Sequence, residues 1–437
     1  MTETATATRE ISRNTVLTLV VPVIAIAAKS ILAVLTPMSF DFINIADWAR
    51  LAFEGEVFQG PYTFSVNLMS IPYRFWLLLP VDHNWIYSDY SFIPSSSGYL
   101  LVFLFKLPLL VFDIFTCILI YKMVSFLSAD RRIPVIAALI WLLNPYLTIG
   151  IEMDGTIDIV STCLVVFATY MFIRSRYLFS GASLAVASMA RLYPIALFPF
   201  YAALLWKNRG IRGAAVMIIS YVAPIALIAV PVLMMYGAGK VMFVDYQLYD
   251  VQPTIYNVFR ETAFWFYGFM PGVASSSSGI MISSVVTALT IFAMLILMKK
   301  NTDTLMVLDS TLLVFLTYFG LSHFNRFYTI WVIPFLTVDL ALKWRDIHGK
   351  VYKVFYVLFF VTAFLYNSAY WWFESMFFFQ EYPPDVYLLV QSLKDTLLFG
   401  GLGTTFVQSI FAGTCIVYAV LIAISVMHRQ TSILSGT

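Results

Sequence analysis

The sequence predicts an all-α polytopic membrane protein, and three observations carry that expectation. The 437-residue chain is 61% hydrophobic and 17% aromatic with only 11% charged residues, and its mean hydropathy is +0.85. A water-soluble core cannot hide that much apolar surface. Mostly apolar runs of about 17 to 25 residues, the length that crosses a bilayer, recur along the chain and give about twelve spans. They fall at 15–37, 99–127, 133–150, 157–174, 178–190, 191–206, 211–236, 279–298, 304–321, 326–342, 351–373 and 403–427. Finally, most of the 26 basic residues collect on alternate turns, as cytoplasmic loops do under the positive-inside rule.

The runs 178–190 and 191–206 are short, and one long span would be the simpler reading. The KNRGIR turn at 207–212 decides for two. With two crossings it joins Arg131, Arg132, Arg174, Arg176, Lys299, Lys300, Lys343 and Arg345 on one side. Both termini are then expected in the cytoplasm. The other side holds the loops 38–98, 151–156, 237–278 and 374–402 and most of the 24 acidic residues, so function is expected there. No loop is long and polar enough to make a soluble domain. The chain is expected to be one membrane domain over 1–437.

Taken in order, the first span carries Lys29 and leads into the loop 38–98, which opens with an interfacial helix. On a helical wheel Phe42, Ile45, Ala46, Ala49, Ala52 and Phe53 share a wedge, while Asp41, Asn44, Asp47, Arg50 and Glu54 take the opposite arc. Gly55 and Gly60-Pro61 end it. Asp41 is read either as a general base at the membrane surface or as a helix cap. Asp47 lies roughly 120° from it on the wheel, so this pair alone does not hold a metal.

Charges inside spans cost about 2.5 to 3.5 kcal/mol each at the bilayer centre and by default mark function. Lys29, Lys106, Asp113 and Arg191 are such charges. Lys106 and Asp113 stand two helical turns apart on one face, which suits an ion pair with another helix as well as a functional role. Lys29 is placed to bind a phosphate or to snorkel. Arg191, beside Tyr193 in a short hairpin turn, points to an anionic group. The loop 237–278 brings Arg260 among many aromatics, and His323 and Arg326 share a tight aromatic turn that reads equally as an interface belt.

Composition also excludes classes. A net charge of +2 argues against a nucleic-acid partner. Cys117, Cys163 and Cys415 fall inside spans and form no disulfide framework. Four scattered histidines make no metal cluster, and no phosphate-loop or dinucleotide motif is present.

Four blocks of the sequence resemble the GT-C superfamily of glycosyltransferases that use a polyprenyl-phosphate sugar, and within it the GPI mannosyltransferase I group and related polyprenol-phosphate mannosyltransferases. The first is Lys29, Asp41-Phe42, Asp47-Trp48-Ala49 and Gly60-Pro61-Tyr62. The second runs from Tyr90 to Ile114 through Lys106 and Asp113. The third is Asn144-Pro145 and the polar turn after it, and the fourth is Arg191-Leu192-Tyr193-Pro194. The blocks cover roughly the first half of the chain. A GT-C-like module over 1–236 and a variable module over 237–437 are therefore expected. Ser39 stands where that group carries the first acid of an Asp-x-Asp.

The resemblance implies an inverting transfer of mannose from a polyprenyl (dolichyl) phosphate to a lipid-linked glycan or glycolipid on the non-cytoplasmic face. It implies Asp41 as catalytic base supported by Asp47. The substrate-binding set is Lys29, Tyr62, Asp154, Arg191, Tyr193, Arg260, His323 and Arg326. Membrane lipid is the remaining partner. No cofactor is expected; were a divalent metal required, Asp154 and Asp158 are the first suspects. The sequence leans to a prokaryotic cell membrane over the endoplasmic reticulum. The competing class is a transporter or flippase of lipid-linked sugars, against which no pair of broken helices sits at matching places in two halves.

Overall fold

The computed structural model describes residues 20–36, 49–50, 63–81, 86–88, 91–93, 96–191, 193–236, 305–321, 326–345, 349–368, 392 and 401–434. These are helical apart from one small hairpin within the first long loop. Its strands β1 (Ile86–Ser88) and β2 (Ser91–Ile93) pair antiparallel, with Ser88 opposite Ser91. Among the described residues, three helices are long and apolar enough to cross a membrane, or four if a pair bent by 41° counts as one. Five shorter apolar helices of 10–17 residues accompany them among the described residues.

Helix α1 (Val21–Leu35) packs against α3 (Ser96–Leu127), and α2 (Thr63–Leu77) lies between them in sequence. Sequence reasoning placed α2 in a loop, because Ser65, Asn67, Ser70 and Arg74 dilute its apolar residues. It forms because Met69, Tyr73 and Trp76, three and four residues apart, make one buried stripe. The tilted aromatic contact from Tyr73 to Phe105 joins that stripe to α3.

The α1–α3 pair is antiparallel, and its side chains show the register. Lys29 meets Asp113, and seven residues further along α1 Thr36 meets Lys106, seven residues back along α3. Next come α4 (Arg132–Leu142) and the short α5 (Pro145–Leu147). Asn144 caps α5, its Oδ1 accepting the Tyr146 N–H at 3.0 Å, and Pro145 fits the first turn, where no N–H is needed. A π-helical turn over Thr148–Met153 then leads to α6 (Asp158–Ile173).

Helix α7 (Tyr177–Ala190) is followed by a 3-10 turn at Tyr193–Leu197 and by α8 (Phe198–Tyr236). By length α8 reads as one rod, but Gly210 breaks it with φ 65° and ψ −160°. A Cβ on Gly213 would meet the Leu205 carbonyl oxygen at 2.5 Å. In a straight helix those two residues are about 12 Å apart along the axis. Phe198 stacks on Tyr221 at 4.2 Å between ring centres, so the chain doubles back at Gly210 as an antiparallel hairpin. That is the two-segment reading of 191–206 and 211–236.

The later chain supplies α9 (Met306–Leu321), a 3-10 turn at Arg326–Trp331, α10 (Ile333–Leu342), α11 (Gly349–Ser368) and α12 (Gly401–Leu434). The basic turns share one end of the molecule. Arg345 pairs with Asp130 at 2.6 Å, Arg174 lies over Phe126, and Arg209 lies over Tyr177. Thr36 at the end of α1, the 148–156 turn and Arg191 after α7 gather at the other. The expected span 279–298 and the loop 237–278 lie outside the described residues, as does the loop 374–402 apart from 392 and 401–402.

Gly210→Ala should cost about 1 to 3 kcal/mol, because only glycine adopts this backbone conformation without strain. Thermal melting in detergent checks it, and an unchanged midpoint would contradict the hairpin.

Candidate active site

Two clusters of charge form where α1, α3, α6 and α7 meet around the 148–156 turn. In the first, the Lys29 ammonium lies 2.7 Å from Asp113 Oδ2 and 3.3 Å from Glu152 Oε1. All three side chains are buried, at 2%, 0% and 1% exposure. The indole N–H of Trp141 donates to the other oxygen of Asp113 at 2.8 Å. Here the turn's π-helical geometry matters. The Asp154 N–H reaches the Ile149 carbonyl five residues back at 2.8 Å, giving the wider turn that carries Glu152 onto Lys29.

Lys106 is buried beside this group. Its ammonium donates to the Thr36 carbonyl at 3.0 Å, to the Thr36 hydroxyl at 3.1 Å and to the Met153 carbonyl at 2.7 Å. It thus ties the C-terminal end of α1, where carbonyls lack helical partners, to the 148–156 turn. Asp154, itself buried, and Glu152 are the carboxylates whose charge acts on Lys106. Lys106 and Asp113 therefore each pair with a neighbouring element.

The second cluster centres on Asp158, the first residue of α6. Gly155, at φ 74°, turns the chain between the two clusters. Arg191 Nε lies 2.7 Å from Asp158 Oδ1 and its Nη2 donates to Oδ2 at 3.0 Å. The Thr156 hydroxyl donates to Oδ2 at 3.0 Å, and the Trp331 indole N–H donates to Oδ1 at 3.1 Å. Trp331 is itself held between two rings, stacked on Tyr193 at 3.9 Å and on Tyr328 at 4.2 Å. The Tyr193 hydroxyl bonds with Thr162 at 3.3 Å.

Of the residues the sequence singled out, Lys29, Asp154, Arg191 and Tyr193 come together around this turn. For Lys29, contact with a phosphate would require it to leave two carboxylates. Arg326 opens the 3-10 turn that carries Trp331, and its side chain is outside the description. Asp41, Asp47, Tyr62, Arg260 and His323 lie outside the described residues. Among the described residues no group of three His, Cys, Asp or Glu could hold a metal ion. Sequence reasoning did not foresee the partnerships of Glu152 and Trp331. The available signal was three acids, Glu152, Asp154 and Asp158, between two apolar runs.

The chain is 25% identical over 221 residues to GPI mannosyltransferase 1 of Saccharomyces cerevisiae, a match covering 50% of this chain and 49% of that protein. That is a distant relationship to a mannosyltransferase. The chain spans about half the length of the curated relative it matches. No protein-family profile and no solved structure matches it.

Lys29→Met should lower stability by about 3 to 5 kcal/mol, since it leaves buried carboxylates without their cation. Lys29→Met combined with Asp113→Asn should recover part of that loss. Detergent melting curves check both, and a single variant as stable as wild type would remove the ion pair from the account.

Proposed function

We propose that the protein is an inverting glycosyltransferase of GT-C type. It moves mannose from a polyprenyl phosphate to a hydroxyl of a lipid-linked glycan or glycolipid, on the membrane face away from the cytoplasm. The similarity to a GPI mannosyltransferase over half the chain carries this reading. The geometry supports a place for the reaction, at the end of the molecule where α1 stops and the buried charges gather.

In this reading Asp41, five residues beyond Thr36, accepts the proton of the acceptor hydroxyl as that oxygen attacks the anomeric carbon. The bond to the donor phosphate breaks on the opposite side of the sugar, which inverts the anomeric configuration. Asp47 supports the base. Arg191, joined by Arg260 and Arg326, stabilises the charge growing on the leaving phosphate where little water is present. Lys106 holds the end of α1 from which the Asp41 segment departs. Tyr62, Tyr193, Asp154 and His323 shape the substrate site, and no metal takes part.

Purified protein given a labelled polyprenyl-phosphate mannose tests the reading, because an enzyme consumes donor without a sealed membrane and a transporter requires one. Asp41→Asn should reduce turnover by about 10²-fold or more while donor binding persists. Retention of more than about a tenth of wild-type turnover would reduce Asp41 to a helix cap. Turnover should also survive excess EDTA. Loss on chelation, restored by manganese or magnesium, would instead point to Asp154 and Asp158 as ligands.

A further inference from the structure

We propose that Asp158, locked by Trp331 and Thr156, is the positioning residue that fixes the Arg191 guanidinium for an anionic lipid phosphate. The inference rests on the proposed function and assigns two further residues to its site. Asp158 is fully buried, whereas the Arg191 side chain retains 15% exposure, so the pair has an inner and an outer member. Arg191 follows the last residue of α7 with an extended backbone, φ −154° and ψ 148°, and its N–H still bonds to Ala187. That break in the helix sends its side chain towards the first turn of α6.

The hold on the guanidinium comes from two directions. Nη2 donates to Oδ2 at 3.0 Å while Nε lies 2.7 Å from Oδ1 as an ion-pair contact without hydrogen-bond alignment, so two nitrogens of the group face the two oxygens of one carboxylate. The carboxylate cannot turn with it, because Thr156 and Trp331 each donate to a different oxygen. Trp331 cannot turn either, being stacked on both faces. The chain thus links α6, α7 and the turn before α10 through one buried acid.

A long, flexible side chain ordered before its ligand arrives loses less freedom on binding. The opposing effect is charge, since Asp158 neutralises part of the field an anion would feel. The two effects predict opposite outcomes for Asp158→Asn. Positioning requires weaker phosphate binding, and simple neutralisation requires tighter binding.

The test uses the purified full-length protein in detergent and a radiolabelled polyprenyl phosphate without sugar, so that it does not depend on turnover. Asp158→Asn should weaken binding by about tenfold and Trp331→Phe by about threefold, the second removing the indole donor while keeping a stacking ring. Should Asp158→Asn fail to fold, Trp331→Phe carries the test, with its melting midpoint as the check on folding. Asp158→Asn added to Arg191→Ala should cause no further loss, because Asp158 acts through Arg191. Binding by the folded single variants within about twofold of wild type, or tighter, overturns the inference, as does an additive double variant. Wild type that binds no polyprenyl phosphate overturns this inference and the proposed function together. Wild-type binding that is lost in Arg191→Ala but kept in Asp158→Asn overturns this inference alone.

Discussion

Charge that has left water must find a partner, and this constraint organises the described structure. A buried ion without its counterion costs several kcal/mol, so each of the cations on α1, α3 and α7 selects which element packs beside it. Lys29 draws Asp113 of α3 and Glu152 of the turn together. Lys106 closes the end of α1 onto Met153. Arg191 joins α7 to α6 through Asp158, and Trp331 brings in the later chain. Apolar packing alone would leave apolar helices free to slide and rotate past one another, since many registers bury similar area. The paired charges allow few registers.

The same constraint separates the two ends of the molecule. At the basic end, cations lie over ring faces, such as Arg209 over Tyr177, beside ion pairs such as Arg345 with Asp130 and Lys343 with Asp339. At the opposite end the side chains are buried and cross-linked over long sequence distances, with Asp158 and Trp331 173 residues apart in sequence. Preorganised charge with little water around it is what a reaction that expels a phosphate requires.

Much of this was legible in the sequence, and the exceptions have physical causes. Intramembrane Lys29, Lys106, Asp113 and Arg191 stood out because they interrupt apolar runs. The hairpin at Gly210 was legible because KNRGIR places three cations within six residues. Pairings were not legible, since one sequence states no inter-helix distance, although Lys106 and Asp113 on one helix face do both meet α1, at Thr36 and Lys29. Helix α2 was missed because its buried stripe of Met69, Tyr73 and Trp76 is thin and flanked by polar residues. The π-helical turn has no compositional mark, yet it decides where Glu152 lies. The resemblance to GT-C enzymes rested on the order of motifs, and the similarity to a yeast mannosyltransferase is of the same distant kind.

In the proposed function a lipid phosphate is held at the end of the molecule where Arg191 meets Asp158. A cryo-EM structure of the full-length protein with bound polyprenyl phosphate tests it most directly. Phosphate density is expected within hydrogen-bond reach of the Arg191 guanidinium, with Asp158 still against its other side. Phosphate bound at the basic end, beside Arg131, Arg209 or Arg345, would contradict it.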